Sequence, residues 1–247
     1  MIEAAEPVVL LTGAAGGLGK AIAARLLRDG FRLLLTDAVS LDSFAADIGA
    51  DPHRIWHCTC DLSDSAAVRA LSVDAAAAFG RIDCLVNNAA LMTPVPFADI
   101  SLEFFQRVER VNVEAPLLLA QALAPYLGAD GRGRIVNIVS GSAWFPPKGF
   151  LSYITSKMAL IGMTRALAVE LGDQRITVNA ISPGLTRHAG NANDLPDAIW
   201  EGIRSRQAIP DLATPEDIVG AISFLLSRDS QFMTGQTMFC DGGTVFH

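Results

Sequence analysis

The chain has 247 residues, 51% of them hydrophobic and 18% charged, and its 26 acidic and 19 basic residues give a formal net charge of −7. With a mean hydropathy of +0.35, such a chain can bury a large core, which excludes intrinsic disorder. The acidic balance and the absence of any lysine or arginine run argue against binding to nucleic acid or to an anionic membrane surface.

The opening MIEAAEPVVLLTG carries two glutamates and no basic stretch, so it does not read as a secretory signal, and a cytoplasmic location is expected. Strand-like runs are predicted at 8–12, 32–37, 54–58, 83–88, 134–140, 176–182 and 236–240. Most are continuous apolar runs, as in strands buried on both faces of a parallel sheet. Helical segments alternate with them at about 17–29, 64–79, 101–127, 152–172 and 215–227. Ser63 and Asp64, Ser101, and Thr214-Pro215-Glu216 are predicted helix starts. This order predicts an α/β, Rossmann-type doubly wound fold: a seven-stranded parallel sheet with helices on both faces, spanning 1–247 as one domain. The polar stretch at 186–209 breaks the pattern and is expected to protrude as a loop or small helical flap. Apolar runs such as Ala115 to Ala129 contain Pro116 and Pro125 and fall short of the ~20 residues of a membrane-spanning helix. Cys58, Cys60, Cys84 and Cys240 do not make a disulfide framework. No metal site is expected from His53, His57, Cys58 and Cys60, because a strand would turn His57 to the face opposite Cys58 and Cys60.

The first strand runs into Thr12-Gly13-Ala14-Ala15-Gly16-Gly17-Leu18-Gly19-Lys20, where a helix begins. Glycines at 13, 17 and 19 allow a tight turn and a close backbone approach to a pyrophosphate, which the N–H groups of the following helix would hold. Asp37 ends the second strand 18 residues after Gly19, where a carboxylate can accept hydrogen bonds from an adenosine ribose diol. A 2′-phosphate there would meet like charge. Asp37 is followed by Ala38, and Gly16 precedes Gly17, so no basic residue awaits that phosphate; NAD is expected over NADP. Tyr153 and Lys157 are four apart on one helix face, which lets an ammonium stabilise a phenolate and makes the tyrosine a usable acid/base. Asn112 is a poor helix-interior residue unless its polar groups are used. Pro116 lacks the N–H that would bond the Asn112 carbonyl, so a kink with a free carbonyl is predicted there.

The Gly-x-x-x-Gly-x-Gly spacing resembles the loop of the short-chain dehydrogenase/reductase family, and the resemblance extends from Val8 to Gly243. Asp61-Leu62 is similar to the family's adenine-contacting pair, and Asn87-Asn88-Ala89-Ala90 to its NNAG motif with Ala90 replacing the glycine. Asn112, Ser140, Tyr153 and Lys157 match its catalytic tetrad, with 13 residues from the serine to the tyrosine. Pro183-Gly184 matches its PG motif. The resemblance implies that Ser140 bonds the substrate oxygen, Tyr153 exchanges a proton, and Lys157 also holds the nicotinamide ribose. It implies that the Asn112 position holds a water linking the lysine to solvent, and it implies a homotetramer. Cofactor contacts are accordingly expected at Gly13, Gly17, Leu18, Gly19, Asp37, Asp61, Leu62, Asn88, Tyr153, Lys157, Pro183, Gly184, Leu185 and Thr186. The family's carboxamide-binding threonine is here His188; either Thr186 substitutes or that contact is lost, while the Leu185 backbone stays available. His188 is expected to be a loop or pocket residue rather than a second base.

The expected activity is hydride transfer between NAD(H) and a secondary alcohol or ketone. The alternatives are a hydride-based epimerase or dehydratase, or a dinucleotide-sensing binding protein without turnover. Candidate substrate residues are mostly apolar: Trp144, Phe145 and Phe150 between Ser140 and Tyr153, Met92 after the Asn-Asn turn, and Trp200 in the flap. Ser142 either faces the substrate or finishes the turn. Such walls favour a compact hydrophobic or aromatic substrate. Arg187, Arg204 and Arg206 in the flap could instead meet a carboxylate.

Overall fold

The computed structural model describes residues 6–127, 131, 133–188, 191 and 195–246. Strand β1 (Val8–Thr12) leads into helix α1 (Gly17–Arg28), then β2 (Arg32–Asp37), the one-turn α2 (Phe44–Asp47), β3 (Ile55–Thr59), α3 (Ser65–Ala78) and β4 (Cys84–Asn87). The second half runs α4 (Leu102–Glu109), α5 (Ala115–Leu127), β5 (Arg134–Ile138), α6 (Leu151–Glu170), β6 (Thr177–Pro183), α7 (Asp197–Arg204), α8 (Pro215–Leu226) and β7 (Thr237–Cys240). The described strands form a seven-stranded sheet in the order β3-β2-β1-β4-β5-β6-β7, and each pairing is parallel. The fold class expected from the strand–helix alternation is the one observed.

The apolar strand runs divide residue by residue between two cores. Leu10, Leu34, Leu85, Ile135 and Val178 point to one face, under α3 and α5. Val9, Leu11, Leu33, Leu35, Val86, Val136 and Ile181 point to the other, under α1 and α8. Successive side chains of a strand alternate in direction, so a sheet covered on both faces requires apolar residues at every position. Strand order reverses between β1 and β4, and the loops leaving the carboxyl ends diverge there. That divergence opens the crevice in which ligands of doubly wound sheets bind.

The predicted helix at 101–127 is two helices joined by one turn of π-helix at Arg110–Glu114, in which the Ala115 N–H donates to the Arg110 carbonyl five residues back. Where a kink is predicted, the structure has this wider turn, immediately before Pro116. Widening the turn accommodates a residue that cannot donate, and such π turns recur at functional sites. Strand β5 stops at Ile138, two residues before its predicted end, because Ser140 caps a short 3₁₀ turn at Gly141–Ala143. The flap contains a short helix, α7, the helical form of the two expected for it; the flap residues 189–190 and 192–194 lie outside the described ones. No helix among the described residues is long and apolar enough to cross a membrane.

Candidate active site

The glycine loop is held from below by the turn after β4. Gly13 adopts φ +68°, and a Cβ there would stand 2.7 Å from the Ala89 Cα, so both conformation and space select glycine. The Asn88 amide donates to the carbonyls of Thr12 (3.0 Å) and Gly13 (2.9 Å), and the Thr12 hydroxyl accepts from the N–H groups of Asn88 and Ala89. Asn88 thus braces the loop through its side chain. Gly19 is tighter still: a Cβ would lie 2.9 Å from Ala14 Cα and overlap the Gly13 carbonyl. The N-cap of α1 is Gly16, which offers no side chain, and the first turn holds no acid. The first amides and the positive end of the helix are thereby directed at whatever anion the crevice receives. Leu18 opens that helix just behind Gly17.

Asp37 sits at the end of β2, its Oδ2 accepting from the Ala15 N–H at 2.9 Å, so the acid is tied to the loop it would serve. Asp61 accepts from the backbone and hydroxyl of Ser63, both at 2.8 Å, and these bonds hold its carboxyl below the usual carboxylate range. Leu62 is buried in the core, leaving only its backbone for a ligand.

Ser140 and Tyr153 come together although the turn and the start of α6 separate them. The Ser140 Oγ lies 2.8 Å from the Ser142 Oγ and accepts from the Ser142 N–H at 3.2 Å, so Ser142 finishes the turn and also extends the row of hydroxyls. Burial pushes the Tyr153 hydroxyl up, and a hydrogen bond with Ser140 opposes that shift. The Lys157 ammonium is 1% exposed. It donates to the Ile138 carbonyl at 2.7 Å and stands 5.5 Å from the Tyr153 ring centroid. Desolvation lowers its pKa to about 7.

Asn112 lies in the π turn, 1% exposed. Its Oδ1 accepts from the Leu91 N–H (2.8 Å), and its Nδ2 donates to the Leu91 carbonyl (3.1 Å) and to the Ser156 Oγ (2.9 Å). Ser156 donates in turn to the Tyr153 carbonyl at 2.7 Å. The asparagine side chain therefore clamps the loop after β4, at Leu91, to the helix bearing Tyr153. Asn112→Ala would remove three hydrogen bonds of a buried amide at once, so a loss of about 3 kcal/mol is expected. That corresponds to a melting temperature lower by roughly 6–12 °C, which differential scanning calorimetry would measure; an unchanged melt would contradict the clamp.

A second polar chain escaped the sequence reading. Asn87 donates to Asn137 (2.8 Å), Asn137 to the Thr164 hydroxyl (2.9 Å), and Thr164 to the Leu160 carbonyl (2.8 Å). The available signal was an asparagine inside the apolar run RIVNIVS, since a buried amide must find partners.

Pro183 ends β6, and Gly184 approaches Asp241 so closely that a Cβ would sit 3.0 Å from its Cα. Leu185 is half-buried at the start of the loop that follows. The Thr186 hydroxyl donates to the Gly184 carbonyl at 3.0 Å. Among the predicted wall residues, Trp144 packs edge-on to Phe239 with ring centroids 4.6 Å apart, and Phe150 does so on Tyr153 at 6.2 Å. Phe145 and Met92 are exposed, whereas Trp200 is 3% exposed with the Arg187 guanidinium 5.7 Å from its ring centroid. Arg187 thus packs on the flap helix, Arg204 pairs with Glu201 at 3.5 Å, and Arg206 is exposed. The cysteines at 58, 60, 84 and 240 are not joined in disulfides.

The comparisons agree with this geometry. A family profile described as enoyl-(acyl carrier protein) reductase matches residues 13–245. The chain is 36% identical over 242 residues to (2S)-[(R)-hydroxy(phenyl)methyl]succinyl-CoA dehydrogenase subunit BbsD of Thauera aromatica, covering 97% of each. Among solved structures it is similar to 4-hydroxyisoleucine dehydrogenase complexed with NADH, at TM-score 0.89 and 30% identity over 97% of this chain and 98% of that one. It is equally similar to a blue fluorescent protein from a metagenomic library in complex with NADPH, at TM-score 0.88 and 32% identity over 97% and 98%. With this profile, these relatives and the fold in agreement, the chain belongs to the short-chain dehydrogenase/reductase family.

Proposed function

We propose that the protein is an NAD-dependent dehydrogenase/reductase that interconverts a secondary alcohol, hydrophobic or aromatic in character, and its ketone. The observation that carries this reading is the packing of Ser140, Tyr153 and buried Lys157 at the carboxyl edge of the sheet, beside an uncapped glycine-loop helix. The residues fit a dinucleotide: the α1 amides suit its pyrophosphate, Asp37 its adenosine ribose diol, and Lys157 its second ribose. The Asp61 carboxylate and the Leu62 backbone serve its adenine, and the loop from Pro183 through Thr186 its nicotinamide end. The bound cofactor supplies the hydride acceptor or donor.

The protein's own groups handle the proton. Ser140 Oγ and the Tyr153 hydroxyl grip the substrate oxygen. In oxidation the alcohol proton passes to the Tyr153 oxygen while the carbon loses its hydride, and reduction reverses both transfers. Lys157 favours the phenolate electrostatically, and the Ile138 carbonyl fixes its position. Asn112 holds the loop after β4 and α6 in register. The apolar side chain of Phe150 beside Tyr153 supports a hydrophobic substrate, as does a 36%-identical relative whose name describes a phenyl-bearing secondary alcohol.

An absorbance screen at 340 nm over aryl and alkyl secondary alcohols, polyols, hydroxy acids and hydroxyacyl thioesters tests the reading. Activity confined to polyols or acidic substrates would overturn the apolar-pocket part alone. The Asp37 carboxylate supports NAD over NADP by repelling a 2′-phosphate. Asp37→Ala is expected to narrow the ratio of kcat/KM values for the two cofactors by about 10-fold or more, since a juxtaposed like charge costs several kcal/mol. A wild-type preference for NADP would refute this assignment. The whole chain is read as one cofactor-binding and catalytic unit in the cytoplasm, and as a homotetramer. Exposed Leu151, Met158 and Val169 along α6 support an interface, testable by light scattering.

A further inference from the structure

The loop after β6 places an imidazole directly on the glycine loop. A Cβ built on Gly17 would stand 2.9 Å from the His188 Cβ and overlap its Cγ and Nδ1. This approach is built in. The His188 N–H donates to the Asn191 Oδ1 (2.8 Å), the Asn191 amide donates back to the Thr186 carbonyl (2.9 Å), and the Arg187 N–H donates to the Ala213 carbonyl (2.7 Å). Those bonds curl the loop so that its ring meets the first residue of α1, where Gly16 provides no side-chain cap. An anion seated on these amides would have the imidazole at its flank. Along the flank of α1, a cleft that Gly17 and His188 border is also lined by Lys20, Arg187 and, at the start of α8, Glu216. Lys20 also pairs with Asp47 at 3.6 Å, and Asp217 is taken up by the capping box with Thr214.

We propose that His188 is a cofactor-binding residue that closes the pyrophosphate seat over Gly17 and donates an imidazole N–H to a phosphate oxygen. The inference rests on the dinucleotide reading and adds a contact to it. A charge-assisted bond from an imidazolium to phosphate is stronger than one from the neutral ring. Cofactor affinity should therefore carry a pH dependence that belongs to this ring. No proton-transfer step is assigned to it.

NADH affinity, read by fluorescence titration of the intact protein at pH 6, 7 and 8, tests this with His188→Gln and His188→Thr. Lys157 is present in all three proteins, so its own titration cancels from the comparison. The wild-type advantage in affinity over either variant is expected to be about 5-fold larger at pH 6 than at pH 8, as for a partly exposed ion pair. Parallel pH profiles in wild type and variants would overturn the His188 proposal and leave the dinucleotide reading intact. Absence of NADH binding to wild type at every pH would overturn both. Should the variants fold poorly, the wild type alone decides: ADP-ribose is expected to move the His188 ring resonances in NMR spectra, and unmoved resonances would overturn the contact.

Discussion

Tyr153→Phe is expected to lower kcat by about 10³-fold while NADH still binds, because the ring remains and the exchangeable proton goes. The aromatic body is 8% exposed and packs edge-on against Phe150, so the substitution leaves the packing of α6 in place. The pH dependence supplies an independent check. Burial raises the Tyr153 pKa, with the Ser140 bond opposing it, so the free protein holds the hydroxyl protonated at neutral pH. Alcohol oxidation needs the phenolate and should therefore accelerate as pH rises, whereas ketone reduction should slow over the same range. The share of each slope that Tyr153 carries should vanish in the phenylalanine variant. Retention of a tenth of the wild-type kcat would remove Tyr153 from the acid/base role.

Gly19→Ala is expected to abolish measurable NADH binding and to destabilise the fold by about 2–3 kcal/mol, the scale of overpacking a filled site. The added methyl would overlap the Gly13 carbonyl and press on the Ala14 backbone, neither of which can rotate away as a side-chain tip could. Relief requires the loop to move, and the loop is tied to Asn88 and Asp37 by the bonds that set its shape. Isothermal calorimetry with NADH, paired with a thermal melt, reads both effects. A variant that bound NADH within threefold of wild type would show that the tight loop is unrelated to the cofactor. Gly16→Ala is the natural control, because the nearest atom a Cβ there would meet is the Gly13 carbonyl oxygen, at an ordinary 3.5 Å.

What could be read from the chain alone were features written in short stretches of sequence. Apolar runs of five or six residues marked strands sealed on both faces. Gly13, Gly17 and Gly19 marked a loop in which the backbone turns tightly and is closely approached. Tyr153 and Lys157, four apart, had to share a helix face. These follow from backbone sterics and the periods of helix and strand, which act over a few residues. Element ends were less legible. Strand β5 stops early because the Ser140 hydroxyl caps the next turn, and the long helix at 101–127 divides because a π turn absorbs the missing donor of Pro116.

Only the tertiary structure decided which distant groups touch. Asn112 reaches Leu91 and Ser156 across 21 and 44 residues of chain, and the Asn87–Asn137–Thr164 series crosses two strands and a helix. Lys157 owes its lowered pKa to burial beneath the end of β5 rather than to its neighbours in sequence. Trp200, expected at a pocket wall, is instead buried in the flap beside Arg187, and His188, expected in a loop or pocket, lies on Gly17. Each of these depends on how separate elements meet around the sheet. Local propensity determines which elements form, and the packing of side chains between elements determines what their polar groups find.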